Sequence, residues 1–129
     1  MRTLVYTLTC ILLLLSFQSC SKNTPQKAAF DYTEYLKDGD YKSFVDHIYF
    51  EQSEDNEAQK EEYLALIEDK YKEEINKHNG IEKYKIIEED IKEDRADIVI
   101  LCFYKDGETE EFFYNLVKRE NKWLMDFNK

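Results

Sequence analysis

Two histidines, three cysteines and several carboxylate runs are the residues of this chain that could do chemistry. Asp46-His47 beside Tyr49, and Asp31-Tyr32, supply the types that general acid–base catalysis uses, a proton carrier of tunable pKa with a hydroxyl nearby. Adjacent helical residues point about 100° apart, so Asp46 and His47 do not share a face. Spacing alone assembles no set of nucleophile, base and orienting group. His47 reads instead as a half-buried helix residue near a sheet edge. For a metal, His47 and His78 are far apart in sequence, and neither His-Glu-x-x-His nor a Cys pair occurs. Glu88-Glu89-Asp90 and Glu108 to Glu111 could offer oxygen ligands to Ca²⁺. They lack a ligand loop with a central glycine, and solvated charge is the plainer reading. The residues therefore assign no catalytic, cofactor-binding or metal-ligating role, and no cofactor is expected.

The cysteines carry a different message. Arg2 gives a positive start, Leu4 to Phe17 is apolar with Ile11-Leu12-Leu13-Leu14-Leu15 at its densest, and Phe17-Gln18-Ser19-Cys20 follows. This is a processing segment rather than part of a fold. Small Ser19 before Cys20 resembles the lipobox of bacterial lipoproteins, although Phe17 and Gln18 depart from its commonest Leu-Ala form. The resemblance implies cleavage before Cys20 and a diacylglycerol on its thiol. Ser-Cys-Ser-Lys is similar to lipoproteins of the Bacteroidetes. An uncleaved span fits poorly, because a bilayer core of ~30 Å needs ~20 apolar residues. A plain secretory signal fits poorly too, since Phe17 and Gln18 are not the small residues it would want. Residues 1–19 are thus expected to be a lipoprotein signal peptide and 20–24 a lipidated tether, with more than one acyl chain for stable anchoring. No acidic run follows Cys20, which points to the periplasmic face of the outer membrane rather than export to the surface. Cys10 leaves with the signal and Cys20 carries lipid. Cys102 remains as a lone thiol in an apolar strand, where a buried structural role suits it.

Removing residues 1–19 takes away only Arg2 among the charged residues, so the formal charge moves from −10 to −11. That balance excludes nucleic acid, which needs a basic footprint. It also argues against broad contact with anionic headgroups, leaving the membrane contact to the acyl chains on Cys20. Ten Tyr, eight Phe and one Trp oppose disorder and indicate a packed core. The length suits one domain, residues 25–129.

The elements follow from period and punctuation. Thr24-Pro25 opens a first helix, whose apolar positions are Ala28, Ala29, Tyr32, Tyr35 and Leu36, and Gly39 closes it. Asp40 caps a second helix from Tyr41 to about Tyr49, with Phe44, Val45 and Ile48 as its stripe. A third helix spans about Ser53 to Lys77, with Ser53 as cap and Leu64, Ile67, Tyr71 and Ile75 on one face, flanked by Tyr63 and Leu66. Gly80 stops it. The period then changes to two. Strands are expected over 82–91, through Ile98-Val99-Ile100-Leu101-Cys102-Phe103-Tyr104, over 109–118 and over 122–127. Adjacent Ile86 and Ile87 hint at a bulge. Asp106-Gly107 and Glu120-Asn121 mark tight turns. The result is α+β, three N-terminal helices packed on a four-stranded antiparallel curved sheet.

This order, with Leu36-Lys37-Asp38-Gly39-Asp40-Tyr41, Tyr49-Phe50, Tyr71-Lys72, Tyr104-Lys105-Asp106-Gly107, and Asn115-Leu116-Val117-Lys118 before Lys122-Trp123, resembles a family of small bacterial lipoproteins. The family is the domain of unknown function 4878. The resemblance implies a cystatin-like, nuclear-transport-factor-two-like cone, in which a sheet wraps about a helix. Fold relatives include isomerases, dehydratases, ligand carriers and dimerisation modules, so the fold alone selects no activity.

Eleven aromatics would converge in such a cone: Tyr32, Tyr35, Phe44, Tyr71, Tyr84, Phe103, Tyr104, Phe112, Phe113, Tyr114 and Trp123. A plain aromatic core accounts for most of them. Yet the 98–104 strand is apolar on both faces, and the helices can cover only one. The expectation is a membrane-anchored, non-enzymatic module that binds a small apolar ligand or a protein partner, or forms a homodimer through the sheet face. One alternative is a pocket enzyme of the isomerase or dehydratase kind, which requires Asp31, Asp46 or His47 at a cavity. Another is a structural envelope protein without ligand.

Overall fold

The computed structural model describes residues 23–50 and 56–127. Three helices, α1 (Pro25–Asp38), α2 (Tyr41–Asp46) and α3 (Asn56–Lys77), precede four strands. These are β1 (Ile81–Ile91), β2 (Arg95–Tyr104), β3 (Thr109–Arg119) and β4 (Lys122–Met125). The sheet order is β1-β2-β3-β4, antiparallel throughout. The α+β class expected from the sequence is the one observed.

Local chemistry explains the boundaries. Thr24 Oγ1 accepts from the Lys27 amide at 3.1 Å, and Pro25 occupies the first turn, where its missing N–H costs nothing. Gly39 ends α1 in the left-handed region at φ 71°, which a side chain would disfavour. Asp40 Oδ1 caps α2 through the Ser43 amide at 3.2 Å. The expected cap Ser53 lies outside the described residues, as does Cys20.

α2 is shorter than its apolar spacing suggests. It stops at Asp46, and the chain then runs beside β4. The Tyr49 amide donates to Met125 O at 2.7 Å, and the Met125 amide donates to His47 O at 3.1 Å. Ile48 and Met125 thus form a parallel bridge. The edge of β4 satisfies the backbone of 47–49 in place of a further helical turn, and the segment covers that edge. The register shift between Ile86 and Glu88 is the bulge that the Ile86-Ile87 pair hinted at. Glu120 and Asn121 both have positive φ, 52° and 62°, as a two-residue hairpin of that twist requires.

One sheet face packs on the helices. Ile98, Ile100, Cys102 and Tyr104 of β2 point there, each at most 1% exposed, with Phe112, Tyr114 and Leu116 of β3. α3 lays aromatic and aliphatic side chains on the sheet. Tyr71 meets Phe112 edge-on with centroids 5.7 Å apart, and Ile67 and Ile75 are buried on either side. Leu66, expected to flank this stripe, is 63% exposed, because it falls on the solvent side of the helix.

Candidate interaction surface

Alternation along β2 and β3 sends a second set of side chains to the opposite face. Val99 lies directly across from Phe113, Leu101 across from Glu111 and Phe103 across from Thr109. On the other flank their partners in β1 are Glu88, Lys85 and Lys83. Two of the eleven aromatics assigned to the cone interior, Phe103 and Phe113, are therefore outside it. The reason is register: each follows or precedes a core residue by one position, which turns it to the other face.

The outer face is apolar in its middle and charged at its margins. Phe113 is 68% exposed, while its partner Val99 is nearly buried. Lys83 Nζ and Lys85 Nζ stand 5.1 Å and 5.8 Å from the centroid of the Phe103 ring, so alkyl stems and cation–π contacts shade that ring. Near β4 the same face closes. Val117 is fully buried between its ladder partners Arg95 and Leu124, and Arg95 reaches buried Asp126 at 3.3 Å.

The helix-facing side is saturated. The Tyr32 hydroxyl donates to His47 O and accepts from the Met125 amide at 2.9 Å. Tyr114 and Thr33 hydroxyls meet at 2.9 Å. Tyr84 donates to Glu34 at 3.0 Å, and Tyr104 donates to Glu110. Burial first, then these carboxylates, push the Tyr84 and Tyr104 hydroxyls above the usual tyrosine range. They act as donors, not as bases. Among the described residues, no buried side-chain nitrogen or oxygen lacks a partner.

Of the residues that sequence reading singled out for chemistry, Asp31 and His47 line one surface cleft beside Lys27 and Trp123, and Asp46 lies outside it. Asp31 pairs with Lys27 at 2.9 Å at the surface, and Asp46 is exposed. His47 is exposed too, rather than half-buried; its Nδ1 lies 2.6 Å from Ser43 O and its ring stacks on Tyr35. The bridge of Ile48 to β4 leaves this ring at the rim of the domain. Glu88 and Asp90 share the outer face, while Glu89 turns inward to Gln26 at 3.3 Å. Glu110 turns inward to Tyr104 and Glu111 lies beside Leu101 on the outside. Among the described residues, no group of three His, Cys, Asp or Glu side chains is placed to hold a metal ion. Cys102 is fully buried, and burial pushes its thiol up to about 12. A protonated, inaccessible thiol is no nucleophile.

A contact that sequence reading missed joins His78 to Asp106 at 2.7 Å and to Glu74 at 3.2 Å. Glu74 is one helical turn away and could have been paired by spacing. Asp106 comes from the β2–β3 turn, and no local signal links it to His78.

This architecture is shared with a protein from Campylobacter jejuni whose crystal structure is described as a "Putative NTF2-like transpeptidase". The TM-score is 0.73, the match covers 82% of this chain and 100% of that one, and 21% of aligned residues are identical. The fold is accordingly NTF2-like α+β. The family model of the domain of unknown function DUF4878 matches residues 18–125, and the chain belongs to that family. No curated protein matches it in sequence.

Proposed function

We propose that this chain is a membrane-anchored periplasmic lipoprotein, acylated at Cys20, whose domain is a non-enzymatic interaction module. Its contact surface is the outer face of the sheet, and its first partner is a second copy of itself. The observation that carries the interaction reading is Phe113, 68% exposed across from Val99, at one end of the outer-face row Val99, Leu101 and Phe103. With Val99 beside it and Leu101 and Phe103 further along β2, it extends an apolar strip that a second copy would cover.

Charge supports a two-fold arrangement. On the outer side of β1, Lys83 and Lys85 lie toward one end, and Glu88 and Asp90 toward the other, with Asp97 opposite Asp90. A two-fold axis near Val99 and Phe113 sets the lysines of one copy against the carboxylates of the other. The anchoring reading rests on the leader, Leu4 to Phe17 followed by Ser19-Cys20. Sedimentation of the protein over a wide concentration range tests the first reading. A monomer at every concentration overturns self-association. Mass spectrometry of the mature amino terminus tests the second, with Cys20→Ala expected to move the protein to the soluble fraction.

A further inference from the structure

We infer that the domain docks on the bilayer by the end that holds the β3–β4 hairpin, with Trp123 and Tyr49 at the lipid interface. This rests on the acylation of Cys20 proposed above. Asn23 is three residue steps from Cys20, and a fully extended chain spans at most about 11 Å over that distance. An acyl anchor at Cys20 therefore holds the start of α1 against the headgroups. What surrounds that start is a tertiary fact. Asn23, Thr24 and Lys27 share one cleft with Lys122, Trp123 and Leu124, and His47 closes its side.

The side chains at this end suit an interface. Trp123 is half-buried, with Lys118 Nζ 6.0 Å from its ring centroid. Tyr49, beside β4, carries the Arg119 guanidinium 5.2 Å from its centroid. Tyr and Trp prefer the headgroup level, where an apolar body and a polar tip are both satisfied, and flanking Lys and Arg reach phosphates. Lys118, Arg119 and Lys122 stand together in a chain that is otherwise strongly acidic. Glu120 shares their turn, and the Lys118 amide donates to Asp94 O, which brings Glu93 and Asp94 to the same end. Asp31 is paired with Lys27. The end is thus charge-balanced, so the aromatic pair sets the orientation while the cations keep carboxylate repulsion from opposing it.

The lone tryptophan makes the test direct. The full lipidated protein is reconstituted into vesicles of phosphatidylethanolamine and phosphatidylglycerol containing phospholipids brominated on the acyl chain. Docking predicts a blue-shifted Trp123 emission that the bromines quench. Lys118→Glu with Lys122→Glu should weaken the quenching and leave the far-ultraviolet circular dichroism unchanged. If acyl chains are found on Cys20 and Trp123 is not quenched, docking is wrong and the lipoprotein reading stands. If Cys20 carries no lipid, both fall.

Discussion

The imidazole of His78 lies flat on the ring of Tyr104, with centroids 4.5 Å apart and planes 19° from parallel. Its two nitrogens meet carboxylates from two elements, Asp106 in the β2–β3 turn and Glu74 in α3. Protonated His78 donates to both, so it ties the end of α3 to the far hairpin. The Lys105 amide reinforces the same junction by donating to Gly80 O at 2.9 Å.

The junction should respond to pH. The hydrogen bond to Asp106 raises the pKa of His78 above 6.5, helped by that to Glu74 and opposed by desolvation. A raised folded value means that the contribution is complete below the unfolded pKa and is lost as pH rises through the folded one. Asp106 runs the other way. The Glu108 amide, then His78, lower its pKa below 3.8, so its contribution is present above that value and lost as pH falls through the folded pKa. His78→Gln should lower the thermal midpoint most near about pH 6, and the gap should shrink toward about pH 9. A gap that stays constant would leave His78 only a packing role.

Thr33 and Tyr114 form a buried hydroxyl pair across α1 and β3. The Thr33 hydroxyl donates to Ala29 O at 2.9 Å, which leaves Tyr114 to donate to Thr33. Thr33→Val should cost roughly 1–3 kcal/mol, since it strands the buried Tyr114 hydroxyl, and Tyr114→Phe about 0.5–1.5 kcal/mol, since Thr33 keeps its bond to Ala29 O. The double variant should cost less than the sum of the two. Urea unfolding of the four proteins completes this cycle, and strict additivity would mean that the two hydroxyls are not coupled.

Phe113→Lys should weaken association between copies and leave folding nearly unchanged. An exposed anchor at the centre of an interface contributes on the order of 2 kcal/mol, roughly a thirtyfold change in Kd. Sedimentation measures the association. Thermal unfolding of the monomer measures the control, where a surface change should stay within about 0.5 kcal/mol.

Cys102 should resist alkylation in the folded protein. Its thiol is fully buried and protonated at neutral pH. In a chain beginning at residue 21 it is the only thiol. Labelling by iodoacetamide should then follow unfolding, speeding up with urea. Rapid labelling in native buffer would contradict the buried position.

Much of the fold could be read locally. Thr24-Pro25, Gly39 and Asp40 are caps whose chemistry acts within a few residues. The strand run through Ile98 to Tyr104 and the Asp106-Gly107 and Glu120-Asn121 turns act over similar distances. Where local and distant partners compete, the sequence misleads. The apolar positions of α2 continue to Ile48, yet the backbone of 47–49 bonds to β4. Leu66 fits a loose helical stripe but points to water.

From the residues alone come the order of helices and strands, the acidic balance and the leader with Cys20, because each depends on neighbours in the chain. Only the tertiary structure decided which face of β2 the helices took, and so put Phe113 and Phe103 outside. Only it brought Asp106 to His78, set Asp31 and His47 on one surface cleft while leaving Asp46 out of it, and placed Trp123 beside the start of α1. Periodicity says that a strand has two faces. Which one is covered depends on side chains dozens of residues away.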